Sequence, residues 1–476
     1  MLEKILDSAT QIDKLLWGPW TIIFIASVYL YLTVKSRFFQ ARKFPFILHN
    51  TFGKIFEKTR TRGKGIMTPF QATSTALAST VGMGSIAGVA TALSVGGPGS
   101  IFWMWLLAFL GMMSKTAEIT LAVHYREIDP DGRIHGGPMY YINKGLGWKF
   151  LAKLFSAGMI INAVLCAALI QPHTVGRAFL ASYNLNPYVI TGIMAVITAF
   201  VVIGGIKRIG EFCEKLVPFM SVVYILGGIT IFFLNYAKIP VVFSTIFKYA
   251  FAPAPAIGGF AGAAVLAAIK TGMSRGMLSN EAGLGTAPMA HATADTTHPF
   301  KQGLWGAFEV FIVTFIICTI TSFTILSTGV LSSGQSGIEL VITAFSSVFP
   351  PVISKTLLSF SILTFCLTTQ IGFFIYYETA TVSIFGKKAI RVLKWLYLIP
   401  GILFAGIANV DKLWTFANIA VGVCAIPNLI AVLALSAPFF KLMKDHLNAR
   451  NEYATKITDS SKNYVKIPSL TIGKSP

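Results

Sequence analysis

Two glycine-rich stretches decide the fold of this chain: residues 79–97, STVGMGSIAGVATALSVGG, and residues 258–285, GGFAGAAVLAAIKTGMSRGMLSNEAGLG. Each is about as long as the 20 or so helical residues that cross a bilayer core. Glycine costs about 1 kcal/mol against alanine inside a helix, so each helix is expected to open within the membrane. Unwound backbone at that depth is tolerated where it lines a cavity. The alternative is a small-residue face on which helices pack closely.

Apolar stretches of spanning length recur along the whole chain and predict eleven transmembrane helices. They fall at 17–35, 69–92, 99–124, 150–171, 187–206, 214–235, 258–279, 304–330, 353–384, 392–408 and 412–438. Without the first span ten remain, and two successive groups of five have opposite orientation because five is odd. Interrupted helices at corresponding positions of two such groups indicate a transport site at the membrane midplane.

The expected fold is therefore all-α and polytopic, an inverted repeat of five plus five helices with a discontinuous first helix in each repeat. Residues 1–68 are expected to form an accessory helix and a basic amphipathic segment. Residues 69–235 and 236–440 are the expected repeats, and residues 441–476 the expected cytoplasmic tail.

The composition supports a membrane protein. Of 476 residues, 54% are hydrophobic and only 12% charged, whereas soluble domains carry roughly a quarter charged residues. The formal charge of +20 is explained by bases in cytoplasmic loops and not by nucleic-acid binding. The segment between the first two spans contains one acidic residue, Glu57, and nine basic residues: Lys35, Arg37, Arg42, Lys43, Lys54, Lys58, Arg60, Arg62 and Lys64. We expect a prokaryotic plasma-membrane protein with its N-terminus outside and its C-terminus in the cytoplasm.

Several polar residues lie in or beside the spans. Arg275 and Glu281 must pair with each other or line a polar path, because ionised groups are costly in lipid. Lys115 and Glu118, three residues apart, are predicted to form a structural ion pair. His291 and His298 lack zinc-type spacing and are predicted to cap turns, so no metal site is assigned.

Thr368 and Thr369 are adjacent in one apolar span. Hydroxyl oxygens are hard ligands that suit a small cation, especially beside the carbonyls of a broken helix. The alternative is that both threonines hydrogen-bond back to their own helix.

At this point the chain resembles the alanine/glycine:cation symporters, also called the sodium:alanine symporter family. The resemblance runs from about Pro69 to Phe440. It depends on STVGMGSIAGVATALSVGGPGSIFWMW from residue 79, on KTAEITLAVHYRE from 115 with HGGPMYYI from 135, and on SRGMLSNEAGLGTAPMAHATADTTHP from 274 followed by GAFEVFIVTFIICT from 306. It implies a LeuT-like fold and sodium- or proton-coupled uptake of alanine, glycine or similar amino acids, without any other cofactor.

The resemblance also implies site residues. For the substrate it implies backbone at Gly82, Met83 and Gly84, together with three side chains, Gln171, Asn280 and Phe373. For the sodium ion it implies the carbonyls of Ala78 and Val81 and the hydroxyls of Thr368 and Thr369.

The chain departs from the usual family pattern in its presumed cavity. Met83 replaces a threonine, Ser85 an asparagine and Phe373 a tryptophan, and His173 and Val313 also differ from the usual residues. Such changes alter volume and hydrogen-bonding capacity, so they bear on substrate preference.

Three other classes of protein are less consistent with the sequence. A channel needs a continuous polar pore, and a membrane enzyme needs a catalytic constellation. A solute sensor without flux is indicated only by the altered pocket. A Walker motif is absent from the sequence, which argues against direct ATP coupling.

Overall fold

The computed structural model describes residues 2–55, 65–129, 132–256, 260–407 and 411–459, and these residues are almost entirely helical. The bases Lys58, Arg60, Arg62 and Lys64, the acid Glu57 and the tail beyond residue 459 lie outside the described residues.

Four helices precede the first glycine-rich stretch. They are α1 (Leu2–Leu16), α2 (Pro19–Lys35), α3 (Phe39–Arg42) and α4 (Phe44–Asn50), followed by a 3-10 turn at Phe52–Lys54. The first two form one apolar helical unit over Asp7–Lys35. The short helices α3 and α4 occupy the predicted amphipathic segment, where Phe39 and Ile47 are buried in the protein.

The first predicted repeat contains eight α-helices and two short strands. The helices are α5 (Pro69–Thr80), α6 (Val89–Gly96), α7 (Ser100–His124), α8 (Pro138–Leu146), α9 (Lys149–Asn162), α10 (Gln171–Tyr183), α11 (Pro187–Ile203) and α12 (Gly205–Leu234). π-Helical segments at Gly84–Gly88 and Ala163–Ile170 connect α5 to α6 and α9 to α10. An antiparallel hairpin, β1 (Glu127–Ile128) and β2 (Ile134–His135), follows α7.

The second predicted repeat and the tail contain the remaining helices. They are α13 (Ile239–Phe251), α14 (Val265–Asn280), α15 (Ala287–His291), α16 (Pro299–Val310), α17 (Thr319–Thr328), α18 (Gly337–Ser346), α19 (Pro351–Phe385), α20 (Lys387–Leu403), α21 (Asp411–Ala434) and α22 (Ser436–Asp459). A π-helical segment at Phe311–Cys318 joins α16 to α17, and 3-10 turns lie at Tyr236–Lys238 and Val330–Ser333.

Within the described residues seven helical units are long and apolar enough to cross a membrane. They are Asp7–Lys35, Ser100–His124, Lys149–Tyr183, Gly205–Leu234, Pro299–Thr328, Pro351–Phe385 and Trp414–Ala434. An eighth candidate is the broken pair Pro69–Thr80 and Gly84–Gly96, bent by 53°. Each of the eleven predicted stretches contains a helix, but those in 187–206, 258–279 and 392–408 are shorter than a standard span. The protein is therefore a multi-pass membrane protein, and the count of eleven spans stays a prediction.

One predicted boundary was wrong. The helix expected from residue 258 begins at Val265. Gly262 has φ +85°, and the backbone of Ala263 pairs with that of Ala254. This left-handed glycine forms a turn instead of the first helical turns.

The outer faces of α11 and α12 carry large exposed apolar side chains. Val196 and Phe200 lie on α11 and Phe219 and Phe233 on α12, each more than half exposed. Such a surface matches the hydrocarbon core of a bilayer, where apolar groups need no partner.

Backbone hydrogen bonds join three chain segments beside α5, α7 and α15. The N–H of Asp295 donates to the carbonyl of Met67 at 2.7 Å, which joins the chain before α5 to the chain after α15. Arg126 strengthens this contact by donating to the carbonyls of Ala292 and Ala294 at 2.9 and 2.7 Å. The chain segments that follow α7 and α15 and precede α5 are thus tied together.

An ion pair connects the hairpin to α20. Lys387 Nζ lies 2.6 Å from Asp129 Oδ2, and His135 lies 3.3 Å from the same oxygen. The hydrogen bond from Lys387 holds the pKa of Asp129 well below its usual range. This aspartate therefore keeps its charge, and its pairing with Lys387, at any physiological pH.

The predicted ion pair between Lys115 and Glu118 is wrong. Lys115 Nζ lies 3.1 Å from Glu309 Oε2 on α16 and donates to the carbonyl of Asn280 at 2.7 Å. Glu118 instead accepts the backbone N–H of Gly283 at 2.7 Å. Because α7 is packed between other helices, the charged groups of Lys115 and Glu118 find partners on those helices and do not pair with each other.

The buried position of Lys115 makes a prediction for stability. Lys115→Met would leave Glu309 and the Asn280 carbonyl short of a partner, and breaking a buried ion pair costs roughly 3–5 kcal/mol. We expect that loss in the free energy of unfolding of the detergent-solubilised protein. The matched control is Lys153→Met, at an exposed position of α9, which should have little effect. Equal unfolding midpoints for the two variants would contradict the assignment.

Candidate functional site

The first glycine-rich stretch is a broken helix. Helix α5 ends at Thr80, and Val81 leaves the helical conformation with φ −81° and ψ 78°. At Gly84 an added Cβ would lie 3.3 Å from the carbonyl oxygen of Leu278 on α14. Glycine at this position thus allows close contact between the two glycine-rich segments.

The second stretch is also broken, between α14 and α15. Glu281, Gly283 and Gly285 all have positive φ, at +55°, +77° and +77°. A glutamate in this left-handed region is uncommon, and such residues concentrate at functional sites.

Side chains from other helices satisfy the backbone of this second break. Glu118 accepts the N–H groups of Gly283 and Gly285 at 2.7 and 3.1 Å. Asn428 on α21 donates to the Gly283 carbonyl at 2.9 Å, and Tyr29 on α2 donates to the Ala282 carbonyl at 2.5 Å. The break is therefore held in a fixed shape, as buried backbone outside a helix requires.

A cavity of about 550 Å³ lies between the two breaks. Both glycine-rich segments line it, together with parts of α9, α10, α19 and α21 and the start of α18. Its volume is within the usual range of roughly 300–1,000 Å³ for small-molecule sites.

Five of the six predicted substrate residues line this cavity: Gly82, Met83, Gly84, Gln171 and Phe373. Gln171 is only 6% exposed, and among the described residues its Oε1 has no hydrogen-bond donor. A buried amide oxygen without a partner is costly, so a donor on a bound molecule would stabilise it.

Asn280, the sixth predicted substrate residue, lies outside the cavity lining. Its amide donates to Thr314 at 3.1 Å and its Oδ1 accepts the N–H of Ala282 at 3.0 Å. The side chain turns back to stabilise the break, because a helix end leaves backbone groups that need partners.

The predicted cation residues separate into two groups. Thr369 lines the cavity and donates to the carbonyl of Ala78 at 3.1 Å, so α19 contacts α5 just before the first break. Val81 is buried there but does not line the cavity. The hydroxyl of Thr368 donates to Phe365 in its own helix at 3.0 Å, as the alternative interpretation of the threonines expected.

The structure adds polar residues that the sequence did not assign to the cavity, among them Asn162, Trp414 and Asn418. It also places Arg275 and Glu281 there, which the sequence predicted either to pair or to line a polar path. Arg275 and Glu281 both line it, and no ion pair joins them in the described part of the chain. A lone asparagine within an apolar span, as at position 162, was the signal that could have identified a lining residue.

The two histidines that were predicted to cap turns, His291 and His298, have different hydrogen-bond partners. The ring of His298 accepts the N–H of Phe300 at 3.1 Å and caps α16, as predicted. His291 does not cap a turn: it is buried, 2.5 Å from Glu309 and 2.8 Å from Gln302. Over the described residues there is no group of three or more histidine, cysteine or acidic side chains that could hold a metal.

Comparisons with known proteins agree on one family. The model of the sodium:alanine symporter family matches residues 2–460. An uncharacterized transporter of Bacillus subtilis, YflA, is 37% identical over 460 residues, 96% of each chain. The sodium/alanine symporter AgcS of Methanococcus maripaludis is 35% identical over 433 residues, 89% of this chain and 93% of that protein.

A third relative and one solved structure complete the comparison. A probable sodium/glutamine symporter of Bacillus subtilis, GlnT, is 35% identical over 94% of this chain and 91% of its own length. A crystal structure of a manganese transporter from Eremococcus coleocola gives a TM-score of 0.49 at 11% identity, covering 78% of this chain and 77% of the other. A score at that level assigns no fold, whereas the sequence matches over nearly the whole length establish the family. The chain belongs to the sodium:alanine symporter family.

Proposed function

We propose that this protein is a secondary active symporter that imports a small neutral amino acid, such as alanine or glycine, together with Na⁺. The observation that supports this best is the cavity between two broken helices, lined by the unpaired oxygen of Gln171. Discontinuous helices of this kind bind a carboxylate with backbone N–H groups and a cation with carbonyls. Membership of the family and similarity to the sodium/alanine symporter AgcS support the same function.

Each part of the cavity has a proposed role. Backbone at Gly82 and Gly84 binds the substrate carboxylate, and Gln171 Oε1 accepts from its ammonium group. Phe373 and Met83 limit the size of the side chain. Thr369 and the carbonyl of Ala78 bind Na⁺, since their oxygens already lie 3.1 Å apart. Thr368 is left out because its hydroxyl bonds within its own helix.

The architecture that goes with this function is also a proposal. We place an accessory segment at 1–68, two inverted five-helix repeats of LeuT-like fold at 69–235 and 236–440, and a tail at 441–476. The basic loop after the first span is placed in the cytoplasm, with the N-terminus outside and the C-terminus inside. Correspondence between the two broken helices, each at the start of its repeat, supports the arrangement.

A second candidate substrate is a larger polar amino acid such as glutamine. The cavity is several times the volume of an alanine molecule and contains the amide of Asn162 and the guanidinium of Arg275. Similarity to a probable sodium/glutamine symporter favours the same alternative. Proton-coupled uptake and solute sensing without flux are the remaining alternatives.

Uptake into proteoliposomes tests the proposal. Radiolabelled alanine, glycine, serine and glutamine would be supplied with an inward Na⁺ gradient, a K⁺ gradient or a pH gradient. We expect saturable accumulation of alanine or glycine with Na⁺ only. Accumulation with the pH gradient alone would replace Na⁺ by H⁺, and glutamine in preference to alanine would support the second candidate. Binding without accumulation under any gradient would contradict a symporter.

Thr369→Val tests the cation site. Valine keeps the shape of threonine but removes the oxygen, so the Na⁺ concentration for half-maximal uptake should rise about tenfold, which corresponds to 1.4 kcal/mol. The unfolding temperature should change little. Thr368→Val is the matched control, and its Na⁺ dependence should stay at the wild-type value. Unchanged Na⁺ activation in Thr369→Val would rule out this site.

Gly82→Ala tests the approach of α19 to the first break. An added Cβ would lie 2.7 Å from Thr369 Oγ1, so the hydroxyl must move away from Ala78. We expect about a tenfold loss of apparent Na⁺ affinity. Gly88→Ala is the control, because its Cβ would meet no atom closer than 3.9 Å. Equal Na⁺ affinities in the two variants would show that Gly82 is not needed for this contact.

A further inference from the structure

Three buried carboxylates lie where α7, α14 and α16 meet, and two of them have a charged partner or several hydrogen-bond donors close by. Glu118 accepts two backbone N–H groups, as described above, and further hydrogen bonds from Ser114 and Asn428 at 3.0 Å each. Glu309 lies between Lys115 and His291. Neither Glu118 nor Glu309 lines the cavity.

Glu281 differs from these two in its partners and its position. It accepts hydrogen bonds from Thr286 at 2.6 Å and Thr80 at 3.5 Å, both on Oε2. Oε1 accepts none from the described residues, among which no basic side chain forms an ion pair with Glu281. The nearest ammonium group, that of Lys115, already bonds Glu309 and Asn280.

A positively charged ligand would therefore stabilise the carboxylate of Glu281 in this position. The side chain is 6% exposed and lines the cavity. An ionised carboxylate in such surroundings costs several kcal/mol unless it is paired. Because Oε2 is occupied and Oε1 is not, a ligand approaching from the cavity has one carboxylate oxygen available.

An amide oxygen without a hydrogen-bond donor among the described residues also lines the cavity. Asn162 is 2% exposed, lines the cavity, and its Oδ1 has no donor among the described residues. Seven residues earlier on the same α-helix, α9, Phe155 lies against Gly285 in the second break. Positions 155 and 162 share one helix face, so Asn162 is on the side of α9 that faces this break.

We propose that Glu281 and Asn162 form a second Na⁺ site at the floor of the cavity. Carboxylate and amide oxygens are the ligands that a small hard cation prefers. Helices α5 and α14 both end there, at Thr80 and Asn280, and helix C-termini favour positive charge. This site is separate from the proposed Na⁺ site at Thr369 and Ala78. The proposal rests on the proposed function, because it makes symport depend on two Na⁺ ions for each amino acid.

The test measures Na⁺ binding without transport. The purified full chain in detergent would be unfolded by heat over a range of NaCl concentrations, with choline chloride keeping the ionic strength constant and no amino acid present. A ligand that binds only the folded state raises the unfolding temperature. Glu281→Gln should raise the NaCl concentration needed for half-maximal stabilisation by about ten- to a hundredfold. Asn162→Leu removes the amide while keeping the size and should act in the same direction.

A matched control and a kinetic readout complete the experiment. Glu211→Gln removes the same charge at an exposed position outside the cavity and should match the wild type. In proteoliposomes, the Hill coefficient for Na⁺ should fall from about two in the wild type to about one in Glu281→Gln, since it cannot exceed the number of sites. If Glu281→Gln does not fold, Asn162→Leu carries the test alone.

Three results would overturn the second site. Wild-type NaCl curves for both Glu281→Gln and Asn162→Leu would exclude it. An effect of these variants only when alanine is present would assign Glu281 to the substrate ammonium group. Stabilisation by acid in place of NaCl would assign it to a proton. Failure of the symport proposal is recognised separately, because wild-type liposomes would then show no Na⁺-driven uptake while the binding measurement stays valid.

Discussion

The hydrogen bonds from the second break to Glu118 are the constraint on which the rest of the structure depends. An unwound segment inside a membrane protein leaves N–H and C=O groups that lipid cannot satisfy. Glu118 accepts two of the N–H groups, and Lys115, one turn earlier on α7, caps the end of α14. Helix α7 thereby fixes the shape of the break, and with it the direction in which Glu281 faces the cavity.

The two breaks are stabilised by different contacts. Glycines and the contact from Thr369 form the first, where the backbone bends by 53° and runs on through a π-helical segment. Side chains from three helices, α2, α7 and α21, hydrogen-bond to the backbone of the second break. The second break therefore has more hydrogen bonds to neighbouring helices than the first, and its shape depends on those helices more than on its own glycines.

The sequence predicted the positions of the two helix breaks better than the side-chain contacts. Glycine content and hydropathy located both breaks, because these depend on local backbone chemistry, and the family motifs placed Gln171, Phe373 and Gly82 at one cavity. The sequence could not predict which way a side chain points when several hydrogen-bond partners lie within its reach. Asn280 turns back to its own break, Thr368 to its own helix and Lys115 across to α16. Which partner each of these side chains contacts depends on how the helices pack, and the spacing of residues along the sequence does not determine that packing.

The backbone contact between Met67 and Asp295 has a consequence for motion. It joins the chain entering α5, which precedes the first break, to the chain leaving α15, which follows the second. Any rearrangement of the two breaks must therefore either move these segments together or separate them. Parting them means losing a few hydrogen bonds worth about 1 kcal/mol each. That amount is a small part of the roughly 5–15 kcal/mol that stabilises a typical folded domain, so this contact can separate without unfolding the protein.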